Sequence, residues 1–125
     1  MKKLFISCPM KGRTEENIRK SMRQMHKIAE IAFNQELEVI PSYIEHNPPK
    51  DCKEAVWYLG ESLKKMSEAD YFIGIDHYSE YYRGCSFESD VSRAYKIKSF
   101  YISNWADFMP DAVELEEEYY EKLNV

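Results

Sequence analysis

The amino-acid sequence predicts an α/β fold in which a small parallel sheet is covered by helices on both faces. Short apolar runs alternate along the chain with longer segments whose apolar residues recur at helical spacing. This alternation is typical of β-α-β units, which need parallel strands and right-handed crossovers and lead to a doubly wound sheet. With 125 residues, 44% of them hydrophobic, the chain is expected to form a single domain with a real core.

The first strand is predicted at residues 4–6, a short apolar run that suits a buried strand. Thr14 is a suitable N-cap for the helix that follows, because two glutamates fill its first turn and apolar positions repeat until about Phe33. The second strand, residues 37–40, is stopped by Pro41. A loop is expected from there to Cys52.

The second half of the chain continues the same alternation. A helix is expected from Lys53 to about Glu68, and residues 71–75 form the clearest strand in the sequence. A third helix and a fourth strand follow, the strand at residues 99–102. The apolar positions that mark these two helices are Ala55, Val56, Leu59, Leu63 and Met66, and then Phe87, Val91, Ala94 and Tyr95. The tail, from about Pro110, is predicted to be an acidic, solvated helix.

Charge and hydropathy exclude several classes of partner. The formal net charge is -5, which gives no long-range attraction for polyanions and argues against binding of a nucleic acid polymer. No run approaches the roughly 20 apolar residues of a membrane span, and the N-terminus does not resemble a signal peptide. We therefore expect a cytoplasmic protein with no membrane partner.

Cysteine and histidine spacing gives no sign of a metal centre. Three cysteines, an odd number, are widely separated at Cys8, Cys52 and Cys85, so they are interpreted as reduced thiols. The three histidines have no common spacing of metal ligands. We expect neither a metal nor a cofactor.

Ligands of an open parallel sheet settle beyond the C-terminal ends of its strands. That rule selects three loops here, residues 7–13, 41–52 and 76–86. The first loop combines small residues, a proline, a glycine and two cations just before a helix N-terminus, where backbone donors favour anions. It is expected to hold a phosphate or a sugar, although an ordinary turn from strand to helix has a similar composition. The glycine spacing of a dinucleotide fingerprint or a P-loop is absent.

Two carboxylates are expected at the same edge. Glu88 is predicted in the first turn of the third helix, and Asp76 ends the third strand. Such a pair could act as nucleophile and acid/base partner in glycosidic chemistry. A helix cap and a turn residue would explain the same two side chains without any ligand.

Three segments together resemble a known family. Residues 4–10, 68–73 and 83–95 are similar, in order and spacing, to the nucleoside 2-deoxyribosyltransferase-like superfamily, above all to its small phage and bacterial members with a Ser-Gly-Pro-Met start. The resemblance spans about residues 3–102. It implies a flavodoxin-like (Rossmann-like) parallel sheet of about four to five strands, and a homodimer or higher homo-oligomer in which a neighbouring subunit helps close the pocket.

The resemblance also implies an activity, namely cleavage or exchange of the N-glycosidic bond of deoxynucleosides or their 5′-monophosphates. By position, Glu88 matches the family's nucleophile, which attacks the anomeric carbon to form a glycosyl-enzyme. Three positions depart from the family pattern. Active members carry a tyrosine where this chain has Phe5, an aspartate where it has Ser62, and usually a glycine where it has Cys8.

The candidate site is therefore a set of catalytic and binding residues. The catalytic candidates are Glu88 and Asp76, and Arg83 would meet a 5′-phosphate or remain solvated. The substrate-binding candidates are Ser7, Cys8, Pro9, Met10, Gly12, Arg13, Tyr43, Ser62, Arg83, Gly84 and Ser86.

Three hypotheses follow for function. The leading one is an N-glycosidase or deoxyribosyltransferase-like enzyme, a hydrolase or a transferase, acting on a nucleoside or its 5′-monophosphate. The alternative is a catalytically silent module that binds or sequesters a nucleotide, which Phe5 and Ser62 favour. A third hypothesis is a structural or partner-binding protein that uses the acidic tail and the abundant tyrosines.

Overall fold

The structure is a computed structural model that describes residues 1–124. Strands and helices alternate from the N-terminus to the fourth strand, and two helical segments follow it. The strands are β1 (Lys2–Ile6), β2 (Leu37–Val39), β3 (Tyr71–Ile75) and β4 (Lys98–Ile102). The helices are α1 (Glu15–Phe33), α2 (Glu54–Met66), α3 (Arg83–Ala94) and α4 (Pro110–Leu123), with a short 3-10 helix at Trp105–Asp107.

The four strands form one parallel sheet in the order β2-β1-β3-β4. The chain moves from β1 outwards to β2 on one side and then returns to the other side of β1 to place β3 and β4. The predicted doubly wound α/β fold is confirmed, with a sheet of four strands consistent with a flavodoxin-like fold. This topology puts the switch point between β1 and β3, which is where ligands of such sheets bind.

Alternating side chains of the strands divide the core into two layers. On one face, Leu4 and Ile73 pack with α1 through Met25 and with α4 through Ala112. On the other face, the stacked rings of Phe5 and Phe72, with centroids 5.8 Å apart, pack with Met66 of α2. Helices therefore cover both faces of the sheet, as the sequence pattern predicts.

The third helix begins earlier than the sequence pattern indicates. α3 starts at Arg83, so the loop after β3 covers residues 76–82, and Glu88 lies in the second turn rather than the first. The position before the helix, Tyr82, has no side-chain cap that a sequence pattern could reveal. Tertiary contacts fix this start instead, since the Tyr82 hydroxyl donates to the Ala112 carbonyl and its backbone N–H donates to Ser79 Oγ.

The C-terminal helix is acidic on its outer side but is not simply solvated. Ala112 is fully buried, and Glu116 is also buried, with its two carboxylate oxygens 2.9 Å from Nε2 of His77. Of the apolar positions that mark α2, Met66 is buried and Leu63 packs against the core beside it. Within residues 1–124, no helix is long and apolar enough to cross a membrane.

Candidate functional site

An open cleft of about 910 Å³ lies between α2 and α3, beyond the C-terminal ends of β1 and β2. Its volume is near the upper end of the range of small-molecule sites, and its walls are mainly apolar. The apolar floor and the α2 wall include Phe5, Ile40, Ile44, Ala55, Val56, Tyr58 and Leu59. The polar residues include Ser42, Ser62 and Glu88.

Ser7 and Glu88 meet at the inner end of this cleft. Ser7 follows β1, and its backbone N–H donates to the Ile73 carbonyl of β3 over 2.9 Å. Its hydroxyl, buried at the switch point, donates to Oε1 of Glu88 over 2.7 Å. The turn after the first strand and the helix that carries Glu88 therefore converge on one hollow, as the placement of the loops predicts.

The environment of Glu88 changes its acidity. Burial raises the pKa of this carboxyl to about 7, because the charged form loses water, while the Ser7 hydroxyl opposes the rise by donating to the carboxylate. Glu88 nevertheless contributes to the cleft lining. A partly buried carboxyl in a cleft, with a pKa moved towards neutrality, is the kind of group that active sites contain.

The two cysteines that line the cleft, Cys8 and Cys85, remain protonated and are therefore weak nucleophiles. Burial raises the pKa of Cys8 to about 11, although the nearby Arg13 guanidinium opposes the rise. Burial also raises the pKa of Cys85 well above its usual range, and the neighbouring Glu88 charge acts in the same direction. Since the thiolate is the reactive form, both side chains act as packed lining at neutral pH.

Positive side chains predominate among the charged groups of the cleft. Two carboxylates, Glu54 and Glu88, line it together with four cations, which are Lys11, Lys53, Lys65 and Arg83. Lys11 Nζ lies 4.5 Å from the ring centroid of Tyr81, which helps to hold it at the cleft wall. A net positive cleft in a chain of net charge -5 favours an anionic ligand.

About half of the predicted binding residues lie at the cleft. Cys8, Met10, Ser62, Arg83 and Gly84 line it with Glu88. Ser7 contacts the site through its hydrogen bond to Glu88.

The Arg13 guanidinium is fully engaged in contacts within the protein. Its side chain is only 1% exposed, and Nε and Nη2 contact the two carboxylate oxygens of Asp111 over 2.7 and 3.1 Å. The guanidinium also donates to the Pro9 carbonyl and to Ser21 Oγ, each over 2.8 Å. Arg13 therefore joins the first loop, α1 and α4, and it has no free face for a phosphate.

The other predicted binding residues lie beside the cleft rather than in its lining. Pro9 is buried, and the Ser86 hydroxyl accepts from the Ser79 backbone N–H over 3.0 Å. Gly12 has a φ of 77°, and a Cβ there would lie 2.7 Å from the Tyr81 hydroxyl, so this glycine allows the loop to pass close to the ring. Tyr43 is 73% exposed on the loop between β2 and α2.

Asp76 is not among the residues that line the cleft. Its backbone N–H donates to the Ile102 carbonyl of β4, so it sits on the β3–β4 side of the sheet. The cleft instead opens on the β1–β2 side. Glu54, at the start of α2, takes the place of Asp76 as the second carboxylate of the cleft. Its sequence context marks only a helix N-terminus, so no local signal distinguishes it.

Among residues 1–124, no group of three or more histidine, cysteine, aspartate or glutamate side chains is arranged to hold a metal ion. No protein-family model matches the chain, and comparison with curated proteins and with solved structures finds no match either.

Proposed function

We propose that this protein is an N-glycosidase or deoxyribosyltransferase-like enzyme that acts on a nucleoside or nucleoside 5′-monophosphate, with Glu88 as nucleophile. The observation that carries the proposal is the hydrogen bond from Ser7 to Glu88 at the inner end of an open cleft. It orients one carboxylate oxygen and leaves the other for attack. The resemblance to the deoxyribosyltransferase-like superfamily points to the same residue.

The proposed reaction has two steps. A Glu88 oxygen bonds to the anomeric carbon, the bond from that carbon to the base nitrogen breaks, and the base leaves with the electron pair and takes up a proton. Water then attacks the anomeric carbon, loses a proton, and releases the sugar and the Glu88 carboxylate. If a second base attacks in place of water, the product is a new nucleoside.

The Ser7 hydroxyl can replace the tyrosine hydroxyl that the family pattern places at position 5, where this chain has phenylalanine. Phe5 has no hydroxyl, and its ring stacks on Phe72 in the core, so it cannot orient the nucleophile. The Ser7 hydroxyl lies two residues further along the chain and makes the bond that a tyrosine at position 5 is expected to make. This supports an active rather than a degenerate site.

We assign the protonation of the leaving base to Glu54. Ser62, at the position where the family has an aspartate, lines the cleft but carries no ionisable group. Glu54 lies on the same helix and on the same cleft. It would orient a water that protonates the base as the glycosidic bond breaks, and would take up a proton from the attacking water in the second step.

The rest of the cleft suggests how the substrate binds. The aliphatic side chains of Ile40, Ala55 and Leu59 suit the flat faces of a nucleobase. Lys11 and Arg83 suit a 5′-phosphate, since both line the cleft and neither has a carboxylate within salt-bridge distance among the described residues. We therefore favour a nucleoside monophosphate over a nucleoside.

The test is release of free base from a panel of deoxynucleosides and their 5′-monophosphates. We expect turnover with at least one monophosphate and a loss of at least 100-fold for Glu88→Gln. Glu80→Gln is the matched control, because Glu80 is an exposed carboxylate outside the cleft lining. If no substrate releases base and Glu88→Gln equals the wild type, the enzymatic proposal is wrong.

A second candidate is a module that binds a nucleotide without cleaving it. The position of Asp76 away from the cleft and the uncharged Ser62 favour it, because they leave Glu88 without a carboxylate at either predicted partner position. Calorimetry that shows tight binding of a nucleotide recovered unchanged would select this candidate. A covalent glycosyl adduct on Glu88, detected by mass spectrometry, would eliminate it.

We further propose that the active form is a cytoplasmic homodimer. The family resemblance supports this, since there a neighbouring subunit helps close the pocket, and Phe87 of α3, at the cleft, remains 47% exposed. Such a residue is ordinarily buried by a partner. Light scattering coupled to size exclusion should give twice the mass of one chain, and Phe87→Asp should return it to one.

A further inference from the structure

Helix α2 consists of two halves with different surroundings. Leu63 and Met66, in the C-terminal half, pack against the core cluster of Phe5 and Phe72. In the N-terminal half, the apolar side chains of residues 55, 56, 58 and 59 face the open cleft or solvent. No residue of the first half is buried, although Trp57 and Leu59 are half-buried.

The loop before α2 does not hold this half in place. Within residues 1–124, no hydrogen bond joins residues 41–51 to any strand or helix. The N-cap position, Lys53, makes no side-chain hydrogen bond to the helix. Pro48 and Pro49 also remove two backbone donors. Residues 44–46 lie beside Glu61 and Lys65 of the second half of α2, but no hydrogen bond fixes them there.

Gly60 lies at the junction of the two halves. Glycine in a helix interior lowers the equilibrium constant for helix formation about fivefold relative to alanine. Close packing does not require a glycine here, because a Cβ at this position would meet no atom within 4 Å. What glycine does supply is freedom for the backbone to bend.

We propose that residues 41–59 form a lid that closes on the cleft by bending α2 at Gly60 when a nucleotide binds. This inference rests on the proposed function, since the nucleotide is what the lid closes on. Closure would bring Ala55 and Leu59 onto the base and carry Glu54 towards the substrate held at Glu88. It would also exclude water from the reacting centre.

The first experiment measures the hinge without any ligand, by hydrogen exchange of the intact protein. Gly60→Ala should slow amide exchange in residues 54–59 about fivefold and leave residues 63–66 unchanged. Lys64→Ala is the matched control one turn further along the helix, where the exposed side chain pairs with Glu61. It should leave residues 54–59 unchanged. Equal exchange of residues 54–59 in Gly60→Ala and the wild type would overturn the hinge.

The second experiment adds deoxyadenosine 5′-monophosphate, with Glu88→Gln as the protein so that the compound is not consumed. We expect slower exchange both in residues 41–59 and in residues 83–88, where the nucleotide is proposed to sit. Protection of residues 83–88 alone would overturn the lid and keep the proposed site. Protection of neither segment, repeated across the other deoxynucleoside monophosphates, would overturn the nucleotide site and the closure that depends on it.

Discussion

The hydroxyl of Ser7 donates to the carboxylate of Glu88 over 2.7 Å, although 81 positions separate the two residues in the sequence. The parallel pairing of β1 with β3 and the placement of α3 after β3 bring them together. The bond favours the ionised carboxylate, whereas burial disfavours it. Ser7 is therefore a positioning residue whose loss should alter both the acidity and the orientation of Glu88.

Ser7→Ala should lower kcat at pH 7 by roughly 10- to 100-fold, because the nucleophile loses its orientation and is ionised less. The pKa of Glu88 should rise further above 7, so the ascending limb of the kcat/KM profile should move to higher pH. Ser92→Ala is the control, since this buried hydroxyl of α3 donates to the Ser89 carbonyl and not to Glu88. An unmoved pH profile for Ser7→Ala would contradict the assignment.

Glu88 should reduce the stability of the fold at alkaline pH. Its folded pKa of about 7 exceeds the usual 4.5, so between these values the folded state binds more protons, and the free energy of unfolding falls as pH rises. Glu88→Gln removes this penalty. Urea unfolding should show the variant about 3 kcal/mol more stable than the wild type at pH 8, and nearly equal to it at pH 4. A constant difference across this range would refute the raised pKa.

Arg13→Ala should destabilise the protein by about 3 to 5 kcal/mol, because it leaves Asp111 and several buried acceptors without their partner. Arg13→Lys should recover little, since an ammonium cannot reproduce the two parallel bonds to Asp111. Arg19→Ala is the control, with an exposed partner in Glu15, and should change stability by less than about 0.5 kcal/mol. Thermal unfolding of the three variants measures the difference.

The ion pair of Arg13 and Asp111 also makes stability depend on pH. In contrast to the effect of Glu88, the free energy of unfolding falls here as the pH falls. The Arg13 guanidinium holds the pKa of Asp111 below its usual range, so the pair stabilises the fold above pH 4 and is lost as pH falls through the lowered value. Asp111→Asn should therefore destabilise the protein at pH 6 and approach the wild type at the lowest pH at which both remain folded. Denaturant midpoints along a pH series test this.

Gly12→Ala and Gly84→Ala should have opposite effects on stability. At Gly12, the positive φ and the Tyr81 hydroxyl both oppose a side chain, so we expect a loss of at least about 1 kcal/mol. At Gly84, in the first turn of α3, a Cβ would meet no atom within 4 Å, and alanine should be neutral or stabilising. Equal melting temperatures for the two variants would contradict the close approach at Gly12.

Glu54→Gln should lower the rate of base release by roughly 10²- to 10⁴-fold if Glu54 directs the protonation of the base. The loss should be smaller for substrates whose base leaves readily without protonation. Glu61→Gln, on the same helix but outside the cleft lining, should retain activity. Equal rates for Glu54→Gln and the wild type on every substrate would remove Glu54 from the mechanism.

The sequence was sufficient to predict the sheet because its strands are short apolar runs flanked by turn residues. Residues 71–75 are predicted without error, and β1 is extended only by two lysines at its N-terminal end. The start of α3 could not be predicted in this way, since it depends on Tyr82 reaching Ala112, which is 30 positions away. Long-range contacts of this kind leave no local pattern.

Part of the candidate site could also be predicted from the sequence. The rule that ligands bind beyond the strand ends selects the loops that carry Cys8 and Arg83, and both line the cleft. It cannot decide on which side of the switch point a strand-end residue falls, so it selected Asp76, which does not line the cleft, and did not select Glu54, which does. Nor can it show that the Arg13 guanidinium pairs with Asp111 and is therefore not available to a ligand.

The three cysteines differ in accessibility in a way that has practical value. Cys8 and Cys85 are buried, whereas Cys52 is partly exposed two positions before α2. A maleimide dye should thus attach to the native protein at Cys52 in preference to the other two thiols. The wild-type chain already carries a labelling position on the segment whose movement is proposed, so an environment-sensitive dye at Cys52 should report that movement without any engineered cysteine.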